Sequence, residues 1–89
     1  MELKNIEKEK ELIYEMGDRF ILFKSAEMRT VCNLVDYINT RSRYDCCNSI
    51  HIVNNGSYLV HCNDVIIAKA FIRIYANHYK MAVCEQKSR

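Results

Sequence analysis

The 89-residue chain has no proline and no tryptophan, only two glycines, and no apolar run approaching the ~18 residues that a membrane-spanning helix needs. The last absence argues against a transmembrane segment. Met1-Glu2-Leu3-Lys4 leads into alternating charges instead of an apolar stretch, so no secretory signal is expected either. Five cysteines, Cys32, Cys46, Cys47, Cys62 and Cys84, include no Cys-x-x-Cys pair. An odd count with two vicinal members argues against a disulfide framework, and a reducing cytoplasm is the expected compartment. The missing Pro and Trp, beside abundant Ile, Asn, Lys and Tyr, suit an AT-rich genome.

A chain of this length buries only about two thirds of the surface its unfolded form exposes, which limits it to one domain, residues 1–89, with one two-layer core. Apolar residues make up 49% and charged residues 27%, a balance that excludes extensive disorder. The formal charge of +2 neither demands nor excludes a nucleic-acid partner, because phosphate binding needs clustered cations on one face.

The pattern divides into short elements without repeats. Ile6, Leu12, Ile13 and Met16 fall on one side of a helix over residues 5–16, with Asn5 as cap, Glu7-Lys8-Glu9-Lys10-Glu11 as its solvated face and Gly17 as its end. Phe20-Ile21-Leu22-Phe23 is too short for a helix and reads as a strand. Ser25 can cap a second helix, in which Val31, Leu34, Val35 and Ile38 recur at helical spacing up to about Thr40. Residues 41–48 read as a polar link. Ser49-Ile50-His51-Ile52-Val53 and Tyr58-Leu59-Val60-His61-Cys62 are strands closed by Asn54-Asn55-Gly56-Ser57, a tight hairpin in which Asn55 and Gly56 both tolerate positive φ. Asn63 or Asp64 caps a third helix to about Ala76, burying Ile67, Phe71 and Ile74 with help from Val65, Ala68 and Ile72. Asn77 ends it, and Tyr79 to Cys84 alternate as a last strand. The fold expected is α+β: a two-layer open-faced sandwich with a four-stranded antiparallel sheet over residues 19–84, helices on one face, and an extra N-terminal helix over residues 1–17.

Several local choices carry a family likeness. Phe20-Ile21-Leu22-Phe23-Lys24 leads into Ala26-Glu27-Met28-Arg29-Thr30 and the helix Val31 to Ile38. Ile50-His51-Ile52-Val53-Asn54-Asn55-Gly56 follows, and then Leu59-Val60-His61-Cys62-Asn63-Asp64-Val65-Ile66. In this order and spacing the chain resembles the HPr phosphocarrier family of the bacterial sugar phosphotransferase system. The resemblance implies a bacterial, cytoplasmic, non-enzymatic domain that works by docking to a protein. The family's phosphoryl-accepting histidine falls on Glu27 and its proline on Thr30, while Arg29 matches its phosphoryl-holding arginine. The regulatory serine of some members falls near Asp64. A carboxylate cannot replace the nucleophilic imidazole, so no phosphoryl transfer is expected and binding or regulation is the implied role. By the same resemblance the partner-binding surface comprises Glu27, Met28, Arg29, Thr30, Asp64, Val65 and Ile67, with no cofactor. The family's C-terminal helix is missing, and the N-terminal helix is expected to cover the surface it would have covered.

Other chemistry weighs less. His51 and His61 can approach one another on the hairpin beside Cys62, but paired short ligand spacings are absent, so no metal is expected. Cys46-Cys47 has no evident thiolate stabilisation. Glu27 at a helix start needs no function to explain it, being favoured there by the helix dipole. Arg41, Arg43 and Tyr44, with Lys69, make the alternative reading, a small Alba-like nucleic-acid-binding module. It lacks a Gly-rich basic loop.

Overall fold

The computed structural model describes residues 11–42 and 45–87. Its elements are β1 (Glu11–Met16), β2 (Phe20–Lys24), α1 (Met28–Arg41), β3 (Cys47–Asn54), β4 (Ser57–Cys62), α2 (Val65–His78) and β5 (Ala82–Lys87). The first element corrects the expected N-terminal helix, whose residues 5–10 lie outside the described residues. Leu12 and Tyr14 are fully buried and Met16 packs against the core, whereas Ile13 and Glu15 are half-exposed. That period of two makes a strand with two unlike faces, and Tyr and Ile are residues that a pleated surface favours. Leu12, Ile13 and Met16 fit a helical stripe as well, and it is the burial of Tyr14 that separates the two periods.

The sheet has the order β3-β4-β2-β1-β5, so it is five-stranded and mixed rather than four-stranded and antiparallel. β1 pairs antiparallel with β2, Met16 facing Ile21, and parallel with β5, Ile13 facing Cys84. The β1–β2 connection closes through a bond from the Gly17 amide to the Phe20 carbonyl at 2.8 Å. The Phe20 ring lies directly on Gly17, where an added Cβ would stand 2.3 Å from it. Any larger residue displaces the ring.

β2 and β3 both run antiparallel to β4, which lies between them; β4 and β5 are likewise parallel, separated by β2 and β1. The chain from β2 to β5 is thus two split β-α-β crossovers, a ferredoxin-like arrangement with β1 inserted beside one edge strand. The two crossovers leave from antiparallel strands and travel in opposite directions, so a common handedness lays both helices on the same face. There Val31, Leu34 and Ile38 of α1 and Ala68, Ile72, Tyr75 and Ala76 of α2 meet Leu12, Tyr14, Ile21, Phe23, Val60 and Cys62 in one buried cluster. The opposite face carries Ile13, Phe20, Leu22 and Leu59, all half-exposed and outside that cluster.

Four local expectations also change. Ser25 does not cap α1; it has φ 54, and Glu27 is the cap residue. Ile74 points outward, 51% exposed, because α2 buries Tyr75 and Ala76 instead. In the hairpin only Gly56 takes positive φ, at 86, the pattern of a type II turn, and a register shift between Ile52 and Asn54 accommodates the twist. The last strand starts three residues later than its alternation suggests, after Lys80 at φ 57, and takes up Glu85 to Lys87.

The strand assignment of β1 separates neighbours that a helix would treat alike. Leu12→Ala is expected to lower stability by about 3 kcal/mol and Ile13→Ala by about 1 kcal/mol or less in urea unfolding. Equal losses would contradict the strand.

Candidate functional site

The expected docking surface joined two helix starts, and the sheet register holds them apart. Lys24, at the end of β2, leads to α1 beside the hairpin tip, where the Ala26 amide donates to the Gly56 carbonyl at 3.0 Å. Cys62 ends β4 at the other extremity, its amide donating to the Arg19 carbonyl at 2.8 Å, and α2 starts there. The length of β4, roughly 17 Å at strand rise, lies between them. Glu27, Met28, Arg29 and Thr30 therefore occupy one end of the molecule and Asp64, Val65 and Ile67 the other.

The two ends differ in chemistry. Glu27, Met28 and Arg29 are exposed, and the Glu27 side chain makes no cap hydrogen bond. Asp64 does cap: its Oδ1 accepts from the Ile66 and Ile67 amides, each at 3.1 Å. Val65 and Ile67 are partly buried against the core. At this end Asp64, Val65 and Ile67 are occupied by holding α2 in place.

A different set of side chains converges between α1 and α2. Asn33, Asp36, Tyr37, Thr40 and Arg41 line one wall and Tyr75, His78 and Tyr79 the other, enclosing an open groove of about 470 Å³. The Tyr37 and Tyr75 rings meet edge to face with centroids 5.2 Å apart, Tyr79 lies 4.7 Å from Tyr75, and His78 stands 4.7 Å from Tyr79. The Arg41 guanidinium stacks 3.9 Å over the Tyr37 ring, a cation–π contact one helical turn away. Burial, and then the neighbouring Tyr79, push the Tyr75 phenol above its ordinary pKa, so Tyr75 is a neutral donor and acceptor at physiological pH. Positions 33, 36, 37, 40 and 41 form a second helical stripe on α1, and Tyr75 and Tyr79 are spaced by four. That periodicity is present in the sequence, beside the apolar stripe Val31, Leu34, Val35 and Ile38.

Of the alternative nucleic-acid residues, Arg43, with its neighbour Tyr44, lies outside the described residues. Lys69 is bound to Glu85 at 3.0 Å, and Arg41 stacks on the Tyr37 ring. His51 and His61 do approach, with ring centroids 5.4 Å apart on the open face, and no group of three or more metal-ligating side chains occurs among the described residues.

The cysteines divide by depth. Cys32 is exposed and Cys84 half-buried, while Cys46, Cys47 and Cys62 are buried and unbridged. Cys47 and Cys62 face each other across β3 and β4 with sulfurs 3.9 Å apart, and Cys46 Sγ donates to the Asp64 carbonyl at 3.3 Å. Burial, reinforced by Cys47, pushes the Cys46 thiol up to about 11; the contact with Cys62, and then burial, push Cys47 up as well. These thiols stay protonated at neutral pH and pack as small apolar groups. Tyr14 is also raised, by burial and then by Glu85, with Arg73 opposing; its hydroxyl has no hydrogen-bond partner among the described residues.

The arrangement defines a mixed α+β domain with a tyrosine-lined groove between its helices. No family model, curated protein or solved structure matches the chain. Among the described residues no helix is long and apolar enough to cross a membrane.

Two measurements check these assignments. Asp64→Ala removes a real cap and is expected to cost about 1 kcal/mol, while Glu27→Ala stays within about 0.5 kcal/mol, in thermal or urea unfolding. The thiols make a pH prediction. An unfolded Cys46 ionises near 9.0 and the folded one only near about 11, so protons are lost first by the unfolded state as pH rises. The Cys46 contribution is whole below about pH 9 and is lost from there through about 11, on the order of 2 kcal/mol, and Cys46→Ala makes the alkaline decline shallower by that share in unfolding titrations.

Proposed function

We propose that the chain is a non-enzymatic protein-binding domain whose docking site is the α1–α2 groove, and that its ligand is an extended polypeptide segment bearing a carboxylate and aliphatic side chains. The observation that carries the reading is the stacked set Arg41–Tyr37–Tyr75–Tyr79. Tyr and Arg are the residues that concentrate binding energy at protein interfaces, because they offer large rigid surface with a polar end. Stacking fixes the plane of Arg41 while its N–H edges have no partner among the described residues, which suits bidentate pairing with a carboxylate. The groove is open and its walls carry Asn33, Asp36, Thr40 and His78, so it fits a segment laid across it better than an enclosed small molecule. Lys69 is neutralised by Glu85, which leaves no cluster of free cations for a phosphate backbone among the described residues and weighs against the Alba-like nucleic-acid reading.

From the likeness to the HPr family this reading keeps only the docking role, with Glu27 standing in the position of the phosphoryl acceptor. The separated ends of α1 and α2 favour the groove over the helix starts as the main surface, leaving Met28, Arg29 and Thr30 as a small second contact. Unbridged thiols suit the reducing cytoplasm of a bacterium as the place of action.

Selection from a random-peptide display library, with the native chain as bait and Tyr79→Ala/Arg41→Ala as counter-bait, tests the reading. Both side chains are exposed, so the double variant is expected to keep its circular dichroism spectrum and melting temperature. Recovered peptides should share an acidic and an aliphatic position and lose at least about tenfold in affinity to the double variant. Equal binding to both proteins would move the site elsewhere. RNA or duplex DNA bound more tightly than about micromolar at physiological salt would replace the reading with the nucleic-acid one.

A further inference from the structure

We propose that β3 is a self-association edge, along which two copies of this chain pair antiparallel about a two-fold axis at His51. β3 and β5 are the two edge strands of the sheet, and they are protected very differently. β5 carries Glu85, paired with Lys69, and Gln86, which accepts from Lys24 Nζ at 3.0 Å. Charged residues of that kind are what keeps an open strand edge from recruiting another chain. β3 reads Cys-Asn-Ser-Ile-His-Ile-Val-Asn, eight residues without lysine, arginine, carboxylate or proline. Its outer edge pairs with no described strand, and Ile52 and Val53 are 64% and 54% exposed.

The sequence of β3 also has the symmetry that a two-fold contact demands, in which residue i meets j and j meets i. About His51 the strand is nearly palindromic: Ile50 and Ile52 flank it on either side. Both isoleucines lie on the helix face, opposite Val60 and Tyr58, while His51 lies on the open face opposite Leu59. An antiparallel partner centred on His51 therefore sets each Ile50 against the other copy's Ile52 and covers the exposed Ile52. It sets the two His51 side chains against each other on the open face. The register shifts of β3 fall between Cys47 and Ser49 and between Ile52 and Asn54, so Ile50 to Ile52, the stretch symmetric about His51, is free of both and can carry a short ladder. One sheet then continues through both copies. His61 stands beside His51, with rings 5.4 Å apart, so four imidazoles gather around the axis.

The docking groove lies between the helices on the other side of the sheet's plane from His51, so the two inferences stand or fall separately. The test is sedimentation equilibrium of the full chain from about 10 µM to about 1 mM, the range in which a contact smaller than a standard interface associates. The apparent mass is expected to rise from 10.5 kDa towards twice that value with concentration. His51→Lys puts two ammonium groups opposite each other at the axis and should weaken the dimer by at least about tenfold, with an unchanged melting temperature at low concentration because His51 is exposed.

Position is read by cross-linking. In a Cys32→Ser background, the thiol introduced by His51→Cys faces its own copy within disulfide reach and should form a reducible dimer with oxidised glutathione, whereas Ser49→Cys should not. A mass of 10.5 kDa up to about 1 mM would overturn the proposal, as would a dimer that His51→Lys leaves intact. So would a monomer in which the outward amides of β3 resist hydrogen exchange, since another part of the same chain would then occupy the edge.

Discussion

The insertion of β1 between β2 and β5 is the constraint on which the remaining structure depends. Among the described residues β5 pairs with β1 alone, so its parallel ladder to β1 is what closes the second crossover and holds the end of α2 against the sheet. The insertion is secured by burial: Leu12 at 2% and Tyr14 at 0% exposure put their whole side chains under the helices, a contribution of roughly 2 kcal/mol or more each. On the opposite face Lys24 bridges Glu15 and Gln86, joining β2, β1 and β5 in a single polar rung. Both sides of one short strand thus fix the sheet's width.

Width and handedness together decide where functional groups can stand. The two crossovers leave opposite ends of neighbouring antiparallel strands, which puts the helix starts at opposite ends of the sheet but leaves the flanks of the helices side by side. Side chains on those flanks, Tyr37 and Arg41 from α1 and Tyr75 and Tyr79 from α2, are the ones the fold brings together. Tyr75 belongs both to the core and to the groove wall, which ties the groove's geometry to the packing beneath it.

Much of the architecture was legible in the residues. The stripe Val31, Leu34 and Ile38, the Asp64 cap, the hairpin at Gly56 and the α+β class all follow from periodicity and turn chemistry, and the structure has them. What was not legible is nonlocal. Residues 11–16 satisfy a helical and a strand period almost equally in a six-residue window, and the choice falls to Tyr14, whose burial depends on β5, some seventy residues away. The sheet order is of the same kind, since the succession strand, helix, hairpin, helix, strand is compatible with more than one order of pairing. The docking residues drawn from the phosphocarrier resemblance inherit that ambiguity, because their convergence depends on which end of the sheet each helix leaves. The groove tyrosines were visible as spacings but not as partners.

The most direct test of this account is the pairing of β1 itself, read by nuclear Overhauser contacts in isotopically labelled protein. The account predicts cross-strand contacts linking Leu12 and Ile13 with Val83 and Cys84, together with antiparallel contacts between Met16 and Ile21. Sequential contacts at i,i+3 through residues 11–16, with none to β5, would show a helix there and contradict the sheet on which the groove and the edge both rest.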